Sequence, residues 1–163
     1  MKDSTLSVVI SRLEAESKNI DRLRETLEKR DLLDNDKNLN IKLSDDFTLR
    51  AVGSIFHDFY TSVENMFKIV GRYVDKSMPE GPDWHLELLQ QMATPIINLR
   101  GPVISLETKE LLNEFRGFRH VFRNVYGFNL IGQRLEGLLK IFPTTLGKLK
   151  NDIRCFINEM NEL

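Results

Sequence analysis

Apolar side chains recur at intervals of three and four along almost the whole sequence, and no other feature constrains the fold as much. From Leu6 to about Leu33 the series is Leu6, Val9, Ile10, Leu13, Ile20, Leu23 and Leu27, the stripe of an amphipathic helix. Glu14, Glu16, Lys18, Asp21, Arg22, Glu25, Glu28 and Lys29 fill the other face with mixed charge, as a solvated surface does. The polar run from Asp34 to Asn40 stops the pattern, because short polar side chains compete for backbone hydrogen bonds and favour turns. Ser44 is the expected N-cap of a second helix, with Asp45 and Asp46 at the positive end of its dipole.

That second helix is expected to reach about Lys76 through Phe47, Val52, Ile55, Phe56, Phe59, Val63, Met66, Phe67, Val70 and Val74, an aromatic series suited to a core. Met78-Pro79-Glu80-Gly81-Pro82 ends it, since proline cannot continue a helix and glycine supplies a turn. Asp83 is the expected cap of a third helix running to about Met92, and Pro95 and Gly101-Pro102 delimit an irregular link. Ser105, or Thr108 as second choice, opens a fourth helix to about Tyr126, with Gly127 as its C-cap. A fifth helix is expected over about 132–141, and Pro143 begins a last one to about Met160. No segment shows sustained period-two alternation, and no repeat or low-complexity stretch divides the chain. The expectation is an all-α fold, one domain over residues 1–163, built as an antiparallel bundle of about five to six helices because the connections are short.

Composition narrows the function classes. The single cysteine, Cys155, excludes an intrachain disulfide scaffold and suits a reducing compartment. It sits among Ile153, Phe156 and Ile157, so an inert, buried thiol is expected. No apolar run approaches the ~20 residues of a membrane span, and no signal-peptide core follows Met1, so a cytoplasmic protein without a membrane partner is expected. The formal charge of −1 first argues against a nucleic-acid partner, but that average hides a division. Residues 1–99 carry 13 basic and 17 acidic side chains, a net of −4, whereas residues 100–154 carry 10 and 5, a net of +5; Glu159 and Glu162 restore the balance.

Several chemistries are missing. Gly147-Lys148 lacks the upstream glycine and the hydroxyl residue of a phosphate-binding loop. His57, His85 and His120 are dispersed, with no pair at helical metal spacing, so neither a metal site nor a cofactor is expected. His57, between Phe56 and Phe59, reads as structural; His85, beside Trp84, reads either as a helix-start residue or as one that lines a site.

The basic excess concentrates in the fourth helix, Glu114-Phe115-Arg116-Gly117-Phe118-Arg119-His120-Val121-Phe122-Arg123-Asn124-Val125-Tyr126-Gly127. Leu111, Phe115, Phe118, Phe122 and Val125 form its apolar stripe. Arg116, Arg119 and Arg123 fall together beside it, flanked by His120 and Tyr126, and none has an acidic residue three or four positions away. Like-charge neighbours at that spacing cost a few tenths of a kcal/mol (~0.2–0.5) each, so compensation is expected from outside the helix: an anionic ligand, an acidic partner or water. Arginine grips phosphate through a planar donor fork, histidine exchanges a proton near neutral pH, and tyrosine offers a hydroxyl and a stacking face. Against an RNA backbone, such a set orients the scissile phosphate and assists attack by the neighbouring 2′-hydroxyl.

A helical chain whose late helix carries Arg-x4–6-His, often extended to Arg-x4-His-x-Tyr, resembles the HEPN superfamily, and within it the HepT-like ribonuclease toxins. Tyr60-x3-Glu64, the Met78-Pro79 stop, Trp84-His85-x2-Leu88-Leu89 and the Tyr126-Gly127 helix end extend the resemblance over roughly residues 45–160. It implies a toxin that cleaves RNA without a metal, at a cleft between two protomers joined through the 105–126 helix. It also implies a small nucleotidyltransferase antitoxin that adenylylates the motif tyrosine, here Tyr126. Arg119 and Tyr126 match the motif, but Asn124 stands where the family has its catalytic histidine. Asparagine hydrogen-bonds like one imidazole nitrogen and does not titrate. The substitution is compatible with a chain inactivated so that it can be produced, with a naturally inactive relative, or with an active variant that uses His120; lost or reduced activity is favoured. The alternative class is a non-catalytic docking or substrate-binding subunit of a nucleotidyltransferase pair.

Overall fold

The computed structural model describes the backbone of residues 3–34, 37–124 and 132–162, with side chains there except at Asp3, Arg123 and Asn124. The described residues form helices α1 (Asp3–Glu28), α2 (Leu39–Lys42), α3 (Asp46–Val70), α4 (Trp84–Met92), α5 (Leu106–Asn124) and α6 (Gly132–Glu162), with no strand among them. The fold is all-α, as the spacing predicts.

α3 is the hub: α1, α4, α5 and α6 all pack on it. The aromatic series explains why. Phe56 and Phe59 of α3 are fully buried and meet Phe115 of α5 and Phe142 of α6, with ring centroids 5.0–5.5 Å apart. Three of those four pairs meet edge-to-face, the geometry that adds ~0.5–1.5 kcal/mol per pair beyond the area buried.

The helix ends correct several expectations. Asp45, not Ser44, caps α3: its carboxylate accepts from the Thr48 N–H and hydroxyl, at 2.9 and 2.8 Å. The Ser44 hydroxyl instead donates to the Ile41 carbonyl at the end of α2, a short helix that begins at the end of the polar run expected to be a turn. α1 ends at Glu28, earlier than expected, with Asp31 in the left-handed region. Ser105 does cap α5, accepting from the Thr108 N–H at 3.1 Å. The two last helices expected on either side of Pro143 are one, α6. Proline removes a single N–H from the ladder, and burial of Leu138, Leu139 and Phe142 before it and Leu146 and Leu149 after it holds the helix through that gap. Cys155 is exposed, contrary to expectation; Ile153 and Phe156 are buried, and the two residues between them, Arg154 and Cys155, turn to the outer face.

α3 runs on into a π-helical turn, Gly71–Asp75, and stops at Lys76, whose φ is 54°. The chain folds back so closely that a Cβ on Gly71 would lie 2.6 Å from Met78 Sδ and 3.2 Å from the Ser77 carbonyl oxygen. A larger residue there would have to displace the Met78 side chain and press on the Ser77 carbonyl. The fold-back places Asp75 against Arg100 with both side chains fully buried. Arg100 donates from Nε and Nη2 to the two carboxylate oxygens at 2.6 and 2.7 Å, and to the carbonyls of Thr94, Gly101 and Gln91. Gln91 also donates to Asp75, at 2.7 Å. This knot, with the Val103 N–H donating to the Met92 carbonyl at 2.8 Å, fixes the irregular link between α4 and α5 and so sets how those two helices face each other.

Candidate functional site

Glu64 lies on α3 one turn after Tyr60 and is 2% exposed. A carboxylate taken out of water that far is tolerated only when paired. Its Oε1 receives Arg119 Nη1 of α5 at 3.2 Å and Lys68 Nζ at 3.4 Å. Its Oε2 lies 2.5 Å from His85 Nδ1 of α4. Three helices thus converge on one anion.

The expected compensation for the arginine strip is therefore partly inside the chain. Arg119 has an acidic partner, and that partner sits on α3, where spacing along α5 cannot reveal it. Arg116 Nε donates to Asn113 Oδ1 at 2.8 Å. Arg119 keeps a polar group in reserve: its Nε is buried and has no hydrogen-bond partner among the described residues.

His85 is held on two sides. Its ring stacks on Trp84 with centroids 3.6 Å apart and planes 28° apart, and Lys68 Nζ lies 4.6 Å from the Trp84 ring centre, a cation–π contact. An ionised carboxylate only accepts hydrogen bonds, so opposite an ionised Glu64 it is Nδ1 that donates. Tyr60 lies beneath this layer, and burial pushes its phenol far above the ordinary range. The nearby Glu64 charge adds to that shift, against the smaller opposing pull of Arg116 and Arg119. Tyr60 is thus a neutral phenol.

Between the start of α4 and the face of α5 opens a cleft of about 540 Å³ lined by Pro82, Asp83, His85, Leu86, Arg116, Arg119 and His120. Of the residues singled out on the fourth helix, Arg116, Arg119 and His120 are brought together on one wall. Arg123 and Asn124 belong to the last turn of α5, but their side chains lie outside the described residues, and Tyr126 lies outside them altogether. His57 is away from the cleft lining, half-buried, its ring 5.5 Å from Phe122 and its Nδ1 3.3 Å from Asp58. His85 lies in the first turn of α4 and also lines the cleft, so the structure places it at a helix start and on the cleft wall together.

In the sequence Glu64 stands out only through Tyr60-x3-Glu64, with no chemical role attached, and Lys68 not at all. A signal was present: an acidic residue between Val63 and Met66-Phe67, inside the most apolar helix, is costly unless a cation meets it.

The profile of a family described as HepT-like protein matches residues 51–160, which include every residue lining the cleft and the three that converge on Glu64. No curated protein and no solved structure matches the chain. No described helix is long and apolar enough to cross a membrane.

Proposed function

The chain belongs to the HepT-like family of the HEPN superfamily, and on that premise we propose that it is the RNA-directed toxin of a toxin–antitoxin pair, with the cleft between α4 and α5 as its RNA phosphate site. One observation carries the reading: Arg116 and Arg119 line one wall of an open cleft together with His120. A phosphate oxygen entering the cleft meets guanidinium groups suited to it. The reaction is metal-independent cleavage by the 2′-hydroxyl. Two copies pair through α5, where Val121 is 54% exposed beside His120, so that two arginine sets share one groove.

The partner is a small nucleotidyltransferase that adenylylates Tyr126. The added phosphate sits near Arg119 and Arg123 in sequence and competes with RNA for them. Asn124 cannot move a proton, so catalysis by the α5 motif alone is lost or reduced. The test is RNA affinity and cleavage by the purified chain, with tRNA and mRNA transcripts, between ~50 and ~200 mM salt, where phosphate contacts weaken steeply. Salt-dependent binding is expected; weak binding that ignores salt sinks the reading.

A further inference from the structure

We infer that His85, on α4, is the proton-transfer group of the cleft and supplies what Asn124 lacks. The inference rests on the RNA-cleaving reading above.

A useful general base needs a fixed tautomer, a fixed ring and a place beside the reacting phosphate. The surroundings of His85 supply all three. Glu64 accepts from Nδ1, which in the neutral ring leaves the lone pair on Nε2. Stacking on Trp84 fixes the ring plane. Arg119 and His85 bind the two oxygens of the same carboxylate, at 3.2 and 2.5 Å, so a phosphate held by Arg119 is next to the imidazole. Both residues line the cleft. His120 lines it as well but is exposed, whereas His85 is half-buried.

The step balances as follows. Nε2 of neutral His85 takes the proton of the 2′-hydroxyl, and the 2′-oxygen bonds to phosphorus. The bond from phosphorus to the 5′-oxygen breaks, and that oxygen takes a proton from water. The resulting hydroxide is neutralised by the proton that His85 then releases. The products are a 2′,3′-cyclic phosphate and a 5′-hydroxyl. Arg119 holds the non-bridging oxygens, and Glu64 is a positioning residue that keeps the imidazole in the right tautomer.

The test compares the whole chain with His85→Ala, Glu64→Gln, their double variant and His120→Ala, reading cleavage rate and affinity for one RNA, with circular dichroism as the folding check. Loss of a general base lowers rate by ~10²–10⁴-fold. His85→Ala is expected to lose that much and to keep its RNA affinity, and added imidazole is expected to restore the rate in part; a merely structural histidine would not be rescued by a diffusible base. Glu64→Gln is expected to slow the wild-type chain by about tenfold and H85A far less, because residues acting as one unit are non-additive. Equal losses in both backgrounds would assign Glu64 to structure alone. Cleavage that survives His85→Ala, or is lost only in His120→Ala, overturns the inference. A chain that binds RNA in a salt-dependent way without cutting it overturns the inference and leaves the phosphate site standing; a chain that neither binds nor cuts overturns both.

Discussion

Two acidic side chains of this protein are buried against cations, and the two clusters differ in how fully those cations are satisfied. Asp75 meets one arginine, both side chains are fully enclosed, and the Arg100 guanidinium is saturated by one carboxylate and three carbonyls. Glu64 meets Arg119, Lys68 and His85 together, the arginine keeps 12% of its side chain exposed, and one of its buried donors has no partner among the described residues. A balanced, saturated pair has nothing left to offer a ligand and can only hold the fold. A cluster with more cation than anion, open on one side, has charge in reserve. Burial alone does not distinguish the two; the balance of charge and the degree of enclosure do.

The largest effect should come from the closed cluster. Arg100→Ala leaves Asp75 charged and enclosed with only Gln91 beside it, and breaking a buried pair in this way costs ~3–5 kcal/mol. Urea unfolding should show that loss in the midpoint with an unchanged slope. Replacing both partners, Asp75→Leu with Arg100→Met, should recover much of it, because the uncompensated charge disappears. In the open cluster Arg119→Ala should cost less stability, ~1–3 kcal/mol, since Lys68 and His85 still face Glu64, and should weaken RNA binding by at least tenfold (~1.4 kcal/mol). If Arg119→Ala unfolded the chain as badly as Arg100→Ala and left RNA affinity intact, the distinction between the clusters would be wrong.

Much of this contrast was hidden in the sequence, for a physical reason. Helix periodicity reports which face of a helix is apolar, and it correctly marked the all-α fold, the cap at Ser105 and the aromatic face of α3. It does not report which helices become neighbours, so the partner of Arg119, fifty-five positions away on α3, was invisible to a search three and four residues along α5. The same limit hid the pairing of Asp75 with Arg100. Pro143 misled in another way: local propensity breaks a helix there, and burial on both sides of it overrides that local cost. Cys155 was misjudged because apolar neighbours in sequence lie on a different face of α6.

A third prediction tests the layer under the open cluster. Tyr60 binds its proton more tightly when folded than when unfolded, because burial and then the Glu64 charge raise its folded value. Its contribution is fully present below the unfolded tyrosine value of ~10. Above that pH the unfolded chain gives up the proton and the folded chain does not, so stability falls by ~1.4 kcal/mol per pH unit for one proton. Tyr60→Phe should remove that pH-dependent loss, so the wild-type denaturant midpoint should fall relative to that of the variant as the pH rises above ~10. Parallel decline of both chains would mean that the phenol is hydrated in the folded state.

The smallest effect is the one that discriminates best between a phosphate site and a generic charged surface. Arg116 lines the cleft and is bonded to Asn113 rather than to an acid, so its removal strands no carboxylate and should barely change stability. If its guanidinium meets one phosphate, Arg116→Ala should lower the slope of log affinity against log salt by about one unit for RNA, at a modest loss in affinity. Removing a basic residue remote from the cleft, such as Arg154 on α6, which pairs only with Asn151 in the contacts seen, should leave the slope unchanged. Equal changes in the two variants would make the attraction a property of overall charge, and the open cluster would lose its claim to be the RNA site even with the closed one behaving as expected.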